Sequence, residues 1–260
     1  MANYWAERLA KAQTAITDKN TKQVERQLAK YYTQTSKKVI NDFEKLYNKL
    51  LAERAEGIPP TPADLYKLDT YWQLQGQMKN ELTKLGNKQI KALSKAFQTN
   101  YFEVYFGLAL DGDSAFNTLD TGAVQQMLNS IWVADGKTFK ERVWGNTERL
   151  IETLNEELTY CVATGRDTTD LKRMLAKRFN VSFGRANTLV RTELCHIHTM
   201  AAQQRYKDYG IEWVEVLVDA DDKTCDKCKE LIGKKFSIYD VPPLPVHPNE
   251  RCALVPVVEY

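Results

Sequence analysis

The chain has 260 residues, of which 43% are apolar and 27% are charged, and its formal net charge is +2 at neutral pH. This length allows one large domain or two modest ones, and the balanced charge by itself indicates neither a nucleic-acid nor a membrane partner. Five cysteines without a disulfide spacing pattern favour a reducing compartment, and no apolar run approaches the roughly 18 residues of a membrane-spanning helix. We therefore expect a soluble cytosolic product.

The first part of the chain has the apolar spacing of long helices. Residues 1–56 contain neither Gly nor Pro, and their apolar side chains recur at steps of three and four. A break is predicted at Glu56–Pro60. Thr61 is then predicted to be the N-cap of the next helix, and Pro62 suits the first position of that helix. Helical spacing continues from there to about residue 109.

Shorter helices follow a predicted loop at residues 110–114. Ser182 is predicted to cap the last of these helices, and Gly210 to end it. Cys161 lies on an apolar stripe and is expected to be a buried small hydrophobe. The predicted helices span residues 122–133, 138–144, 147–164, 168–178 and 183–209.

Near the C-terminus the pattern changes to β-branched runs, which predict strands at residues 213–218 and 253–258. We therefore expect a mainly α protein with a small C-terminal β module that binds zinc. Its predicted regions are an extended helical region (1–120), a helical core (121–212) and the β module (213–260).

The most specific motif lies in this module: Cys225, Cys228, His247 and Cys252 have the spacing C-x2-C-x18-H-x4-C. A Cys-x2-Cys turn places two thiolates close together, and a later His and Cys can complete a tetrahedron around zinc. Four protein ligands leave no coordination position for water or substrate. The motif therefore predicts a structural zinc, which would stabilise a module too small to bury a core of its own.

Other roles for the cysteines remain open. Cys225 and Cys228 could form a redox or disulfide pair, although no βαβ pattern surrounds them, or they could be ordinary thiols. The neighbouring Cys195, His196 and His198 suggest a Cys/His dyad. Adjacent helical residues point about 100° apart, so a packing role is the better interpretation.

Two charged residues stand in an apolar stretch of the last long helix. Arg191 and Glu193 are flanked on both sides by apolar residues, and charged side chains are rarely buried without a partner. We predict that they form a structural ion pair that anchors the helix to the zinc module.

Local charge indicates one candidate DNA-binding surface. Nine Lys or Arg and three acidic residues lie between Arg166 and Lys207. Phosphate contacts would come from Lys172, Arg173, Lys177 and Arg178 and would be independent of sequence and sensitive to salt. A solvated helical face is the alternative interpretation.

Several elements together form a recognisable pattern over about residues 130–260. The chain resembles phage minor head proteins of the Mu gpF and SPP1 gp7-like head-morphogenesis family. The elements are Ala134–Thr138, Arg142–Trp144, Arg191–Glu193, Gly210–Ile211, Asp222–Cys228, Leu231–Phe236, Pro245–Pro248 and Arg251–Cys252.

The resemblance implies a minor capsid component of a tailed phage or prophage. Such a protein is present in the virion, after assembly in the host cytoplasm. It associates with the portal protein and other head proteins, handles packaged double-stranded DNA, and has no enzymatic activity. The family often has Cys-Arg-Cys after the His-Pro element, whereas this chain has Glu250-Arg251-Cys252. Either Cys252 completes the site, or metal is absent or held weakly by a Glu250 oxygen.

Two rival functions belong to other classes. A metal-dependent nuclease can combine a Cys-x2-Cys turn with a catalytic His, but His247 is the only His near the motif. A cytosolic zinc-binding adaptor is the second rival. Aromatic residues in the helical region also suggest docking onto another head protein. They are Trp5, Tyr31, Tyr32, Phe43, Trp72, Tyr101 and Tyr105.

Overall fold

The structure is a computed structural model in which 76% of the described residues are helical, with one small antiparallel sheet near the C-terminus. It confirms the predicted fold class. The predicted break at Glu56–Pro60 and the predicted loop at 110–114 lie outside the described residues. The structure describes residues 2–52, 61–67, 69–108, 121–133, 135–218, 224–250 and 252–257.

Two helices of 51 and 41 residues and one of 39 residues account for most of this structure. Within the described residues, no helix combines the length and the apolar character that crossing a membrane requires. In chain order the elements are α1 (Ala2–Ala52), α2 (Pro62–Tyr66), α3 (Asp69–Gly107), α4 (Thr121–Leu128), α5 (Phe139–Thr164), α6 (Thr168–Asp208), β1 (Trp213–Val218), α7 (Asp226–Lys229), β2 (Lys235–Ser237) and β3 (Cys252–Pro256).

The predicted start of α2 is confirmed in detail. The Thr61 side chain accepts a hydrogen bond from the Asp64 backbone N–H, and the Asp64 carboxylate accepts one from the Thr61 N–H. This is a capping box, which satisfies two helix-end donors. Pro62 occupies the first turn, where its missing N–H costs nothing.

Helices α5 and α6 are each unbroken, whereas the sequence predicts two helices in each region. Ser182 is not a cap: it is buried inside α6, and its hydroxyl lies 3.2 Å from the Tyr32 hydroxyl. The Asn146 side chain donates to the Ser182 carbonyl at 3.0 Å. The polar groups of Ser182, which suggested a cap, thus have partners distant in sequence.

The predicted end of α6 at Gly210 is confirmed. Gly210 has φ +70, and its N–H donates to the Lys207 carbonyl at 2.9 Å. The next N–H, from Ile211, donates to the Tyr206 carbonyl at 3.0 Å. This left-handed C-terminal cap turns the chain out of α6 and into β1.

The sheet has the order β2-β1-β3, and both pairings are antiparallel. Val214 lies opposite Phe236 of β2, and Val216 lies opposite Leu254 of β3. Every residue of β3 is buried, although β3 is an edge strand. Both predicted strands are observed, and the second is displaced to residues 252–256.

The chain divides into two compact units, each built from separate segments. The first unit comprises Met1–Glu25, Ala92–Phe139 and Thr188–Tyr260, and it contains the sheet. Here α1 and α6 cover the outer edge of β3. Gln13 and Tyr206 donate to the Leu254 carbonyl at 2.8 and 3.1 Å, and His198 bonds the Cys252 carbonyl at 3.0 Å. These hydrogen bonds satisfy β3 carbonyl groups that would otherwise be unpaired at the edge of the sheet.

The second unit comprises Arg26–Lys91 and Lys140–Asn187 and is helical. Its core includes the fully buried Phe43, Leu85 and Leu154. Cys161 is completely buried here, as predicted, with its sulfur 3.7 Å from the Met174 sulfur.

The aromatic residues expected to form a docking surface are mostly core residues. Tyr32 and Phe43 are buried in the second unit, and Tyr101 and Tyr105 are buried in the first. Tyr31 is half-buried. Trp5 (48%) and Trp72 (59%) remain exposed. Of the seven residues suggested for docking, Trp5 and Trp72 are therefore the ones with a largely exposed side chain.

Candidate metal centre

The first two candidate ligands lie on one short helix. Cys225 is the N-cap of α7, and its carbonyl accepts the Lys229 N–H at 3.0 Å. Cys228 follows one helical turn later, where residues three apart face the same side. Cys228 is buried and Cys225 is half-buried. The predicted Cys-x2-Cys turn is therefore present as a helical turn.

The third ligand is positioned by the His-Pro turn. His247 Nδ1 lies 2.9 Å from the Pro248 carbonyl oxygen, which can only accept a hydrogen bond. In the neutral ring, Nδ1 therefore carries the proton and Nε2 carries the lone pair. Nε2 lies 3.1 Å from the Cys228 sulfur. This tautomer is the one that presents a metal-binding nitrogen to the cysteine.

The candidate donors form two groups that share Cys228. One group is Cys225, Cys228 and His247, and the other is Cys228, Glu250 and Cys252. Within each group the ligand atoms lie within 4.8 Å of one another. Ligand atoms of a tetrahedral zinc–thiolate site lie about 3.8 Å apart, given Zn–S bonds of about 2.3 Å. The donor chemistry and spacing thus fit a metal such as zinc.

Glu250 holds the turn that carries His247. Its Oε2 accepts hydrogen bonds from the backbone N–H groups of Val246 and, at 3.3 Å, His247. Glu250 is only 6% exposed. Its other oxygen, Oε1, is buried and receives no hydrogen bond from a nitrogen or oxygen donor among the described residues, although the Cys252 thiol also bonds this carboxylate. The sequence shows Glu250 as a departure from the family pattern, and the structure places it among the donors.

The environment of the thiols opposes their ionisation when no cation is bound. Burial and then the Glu250 carboxylate raise the pKa of Cys228 to about 11. Burial, then a hydrogen bond with the Glu250 carboxylate and the charge of that carboxylate, raise the pKa of Cys252 strongly. A divalent cation reverses this balance, because it binds thiolates directly and neutralises their charge.

The neighbouring Cys195 and histidines serve packing, as predicted. His198 is buried between the Thr17 hydroxyl (3.1 Å) and the Cys252 carbonyl. Burial lowers its pKa to about 4. His196 stacks on Trp132 at 4.0 Å between ring centroids, and its Nδ1 bonds the Leu244 carbonyl at 2.6 Å. Burial likewise raises the pKa of Cys195.

The predicted ion pair between Arg191 and Glu193 takes a different form. Arg191 Nε donates to Glu25 of α1 at 2.7 Å and remains 54% exposed. Glu193 is buried and accepts a hydrogen bond from Trp132 Nε1 at 3.0 Å. Residues two apart on a helix do not face each other. The two side chains therefore tie α6 to two different segments.

Three of the four predicted DNA-contacting residues have acidic partners. Lys172 pairs with Glu44 at 3.1 Å, and Arg178 pairs with the buried Glu157 at 2.5 Å. Arg173 pairs with Asp170 one turn away. Lys177 is exposed. This face of α6 therefore carries less unpaired positive charge than its sequence indicates.

Beside the metal donors lies a polar cavity of about 200 Å³ in the first unit. The buried Cys195, His198 and Glu250 line it together with Arg191 and the exposed Asn249. Asn249 has φ +62. Sequence patterns gave no sign of this cavity, because its walls come from segments more than 160 residues apart.

Comparison with known proteins supports the resemblance seen in the sequence. Residues 152–255 match the family model described as phage Mu protein F like protein. Searches of curated proteins and of solved structures found no significant match. The matched stretch includes the second half of α5, all of α6 and all four candidate cysteine and histidine ligands. Residues 152–255 are therefore similar to the phage Mu protein F-like family, in agreement with the resemblance seen in the sequence.

Proposed function

We propose that this protein is a minor head protein of a tailed phage or prophage, which acts in head assembly without enzymatic activity. The observation that carries the proposal is the family match over residues 152–255, which supports a phage head-morphogenesis role. The protein would be a virion component after assembly in the host cytoplasm. Its partners would be the portal protein and other head proteins.

Structural zinc is the second part of the proposal. Cys225, Cys228, His247 and Cys252 would hold it, and the cation would cross-link α7, the His-Pro turn and β3. Zinc bound by four protein groups supplies folding free energy rather than Lewis-acid chemistry. The residues fit this role because the His247 lone pair faces the Cys228 sulfur and the second donor group shares that sulfur.

The positions of the histidines favour a structural over a nuclease role. The chain has three histidines. His196 and His198 are buried and bonded to backbone carbonyls, and His247 belongs to the metal donor group. A general base must reach a substrate proton with a free lone pair: His196 and His198 are buried, and a His247 that binds the metal has no free lone pair at Nε2. We expect no cleavage of DNA with Mg²⁺, Mn²⁺ or Zn²⁺ present.

Copurification with the cognate portal protein tests the head-protein role. The full chain should be retained by the tagged portal and should appear in purified heads. A cytosolic zinc-binding adaptor would be absent from heads, and that result would overturn the proposal. Metal analysis of freshly reduced protein should give about one zinc per chain.

DNA contact is the least supported part of the proposal, because ion pairs reduce the unpaired positive charge on this face of α6. Any binding should be non-specific and weaken with salt. The test should replace Lys172, Arg173 and Lys177 by Gln and keep Arg178, since removing Arg178 would leave Glu157 buried without its partner. Unchanged binding by the triple variant would show that this surface does not contact DNA.

A further inference from the structure

We infer that Glu250 is itself a metal ligand, a fifth donor beside Cys225, Cys228, His247 and Cys252, so that the centre has a mixed thiolate, imidazole and carboxylate coordination sphere. This inference rests on the proposed metal-binding role and specifies its chemistry. It concerns a residue that the C-x2-C-x18-H-x4-C spacing does not include.

The position of the Glu250 carboxylate is the first support. One of its oxygens lies within 4.8 Å of the sulfurs of Cys228 and Cys252. Cys228 in turn belongs to the group with Cys225 and His247. A cation bound near Cys228 would therefore have this carboxylate within reach, and zinc accepts carboxylate oxygens at about 2.0–2.2 Å.

The hydrogen bonds of Glu250 are the second support. Oε2 is fully used by the backbone N–H groups of Val246 and His247, which fixes the carboxylate plane. Oε1 is buried and receives no hydrogen bond from a nitrogen or oxygen donor among the described residues, although the carboxylate also has a hydrogen bond with the Cys252 thiol, which is a weak donor. A buried acceptor without a strong donor destabilises the folded chain, and more so when the acceptor is charged. Coordination of a cation would remove this destabilisation.

Charge is the third support. Cys228 and Cys252 are both buried beside Glu250, and Cys195 is buried nearby. A buried carboxylate beside bound thiolates is unfavourable unless it is itself bound or paired. Direct coordination would place the negative charge on the cation, instead of beside it.

The polar cavity supplies an entry path. Glu250 lines the cavity together with Arg191 and Asn249, which are both exposed. Metal and chelators can therefore approach the carboxylate side of the centre from solvent, as a metal site requires.

The decisive experiment is X-ray absorption on the zinc-loaded full chain. Glu250→Cys should keep one zinc per chain and add one sulfur scatterer to its first shell. Glu250→Gln should weaken zinc affinity by more than about 100-fold, beyond the 10–100-fold typical of a residue that only orients a ligand. Gln suits this test because its side-chain oxygen can still accept the turn's N–H bonds. Glu25→Gln is the matched control, since Glu25 lines the same cavity but belongs to neither donor group.

An unchanged sulfur count in well-folded Glu250→Cys overturns the inference, because Glu250 would then only support the turn. If Glu250→Cys does not fold, the affinity of Glu250→Gln decides, and a loss below 100-fold overturns the inference. Absence of zinc from the parent protein is a different result. It would overturn the proposed metal role itself.

Discussion

Two glycines within α3 show how the surroundings of a residue decide whether it must be glycine. A Cβ on Gly86 would lie 2.7 Å from a ring carbon of Trp144, whereas a Cβ on Gly76 would have nothing within 4 Å. Both belong to the second unit. Gly86 thus permits a close approach of Trp144, and Gly76 has no packing role.

We predict opposite effects of alanine at these two positions. Gly76→Ala should raise the free energy of unfolding by about 0.5–1 kcal/mol, because alanine loses less backbone entropy in a helix. Gly86→Ala should lower it by about 1–3 kcal/mol, because Trp144 must move. Urea unfolding of both variants checks this. Equal stabilisation by both would show that Trp144 shifts freely.

His198 should make stability depend on pH. Its pKa is lowered by burial from 6.5 to about 4, so the folded state favours the neutral ring. The unfolded chain binds a proton below about pH 6.5, while the folded chain does not until about pH 4. The stabilising contribution is therefore complete above pH 6.5 and is lost as pH falls towards 4, by up to about 3 kcal/mol.

The measurement is the free energy of unfolding of metal-free protein between pH 4 and 7. His198→Gln is the comparison, since its amide can still bond the Thr17 hydroxyl and the Cys252 carbonyl. The difference in stability between parent and variant should shrink as pH falls. A constant difference would contradict the neutral buried state of His198.

At the scale of elements, helix boundaries with local causes were predictable and those with distant causes were not. The Thr61 cap and the Gly210 stop depend on neighbouring residues, and both predictions are confirmed. The break predicted at Ser182 is absent, because Tyr32 and Asn146 satisfy its polar groups inside α6. Spacing alone cannot show such partners.

The candidate site, too, was only partly predictable from the sequence. The spacing of Cys225, Cys228 and His247 predicted a group of donors, and the structure brings these three together. The sequence also named Cys252, but it did not show that Cys252 would group with Cys228 and Glu250. The pairing of Arg191 with Glu25 depends on how α1 packs on α6 within the first unit, which spacing does not specify.

Metal removal should loosen only part of the β module. All of β3 is buried, and its carbonyls accept hydrogen bonds from Gln13, Tyr206 and His198. The segment 224–250 has short elements and would depend more on the cation. Chelation, or Cys225→Ser, should therefore speed amide exchange in 224–250 and leave 213–218 and 252–256 protected. Equal loss of protection in the strands would show that metal holds the whole sheet.

At the scale of the whole molecule, the predicted regions are contiguous but the compact units are not. Residues 1–25 belong to the same unit as the C-terminal sheet. Gln13 and Thr17 are buried there and reach the Leu254 carbonyl and His198. Deleting residues 1–56 would therefore remove part of this core. A test of docking by the helical region needs substitutions of exposed residues.

Trp72 and Trp5 are the best positions for such a test. Trp72 is 59% exposed and lies in an aromatic cluster with Tyr66 and Tyr71, where its indole N–H donates to the Tyr66 carbonyl at 3.1 Å. Trp5 is 48% exposed beside Tyr4, with Arg8 over its ring. Rigid exposed aromatic groups of this kind often dominate the binding energy of protein interfaces.

We predict that Trp72→Ala and Trp5→Ala each reduce portal capture or incorporation into heads by about tenfold, which corresponds to about 1.4 kcal/mol. Neither side chain is buried, so the free energy of unfolding should change little. Tyr239→Ala is the matched control, because Tyr239 is 80% exposed but lies outside the helical region. Quantifying the protein in purified heads, beside urea unfolding of each variant, separates docking from stability. If both tryptophan variants are incorporated as well as the parent protein, these aromatic groups do not contribute to the interface with other head proteins.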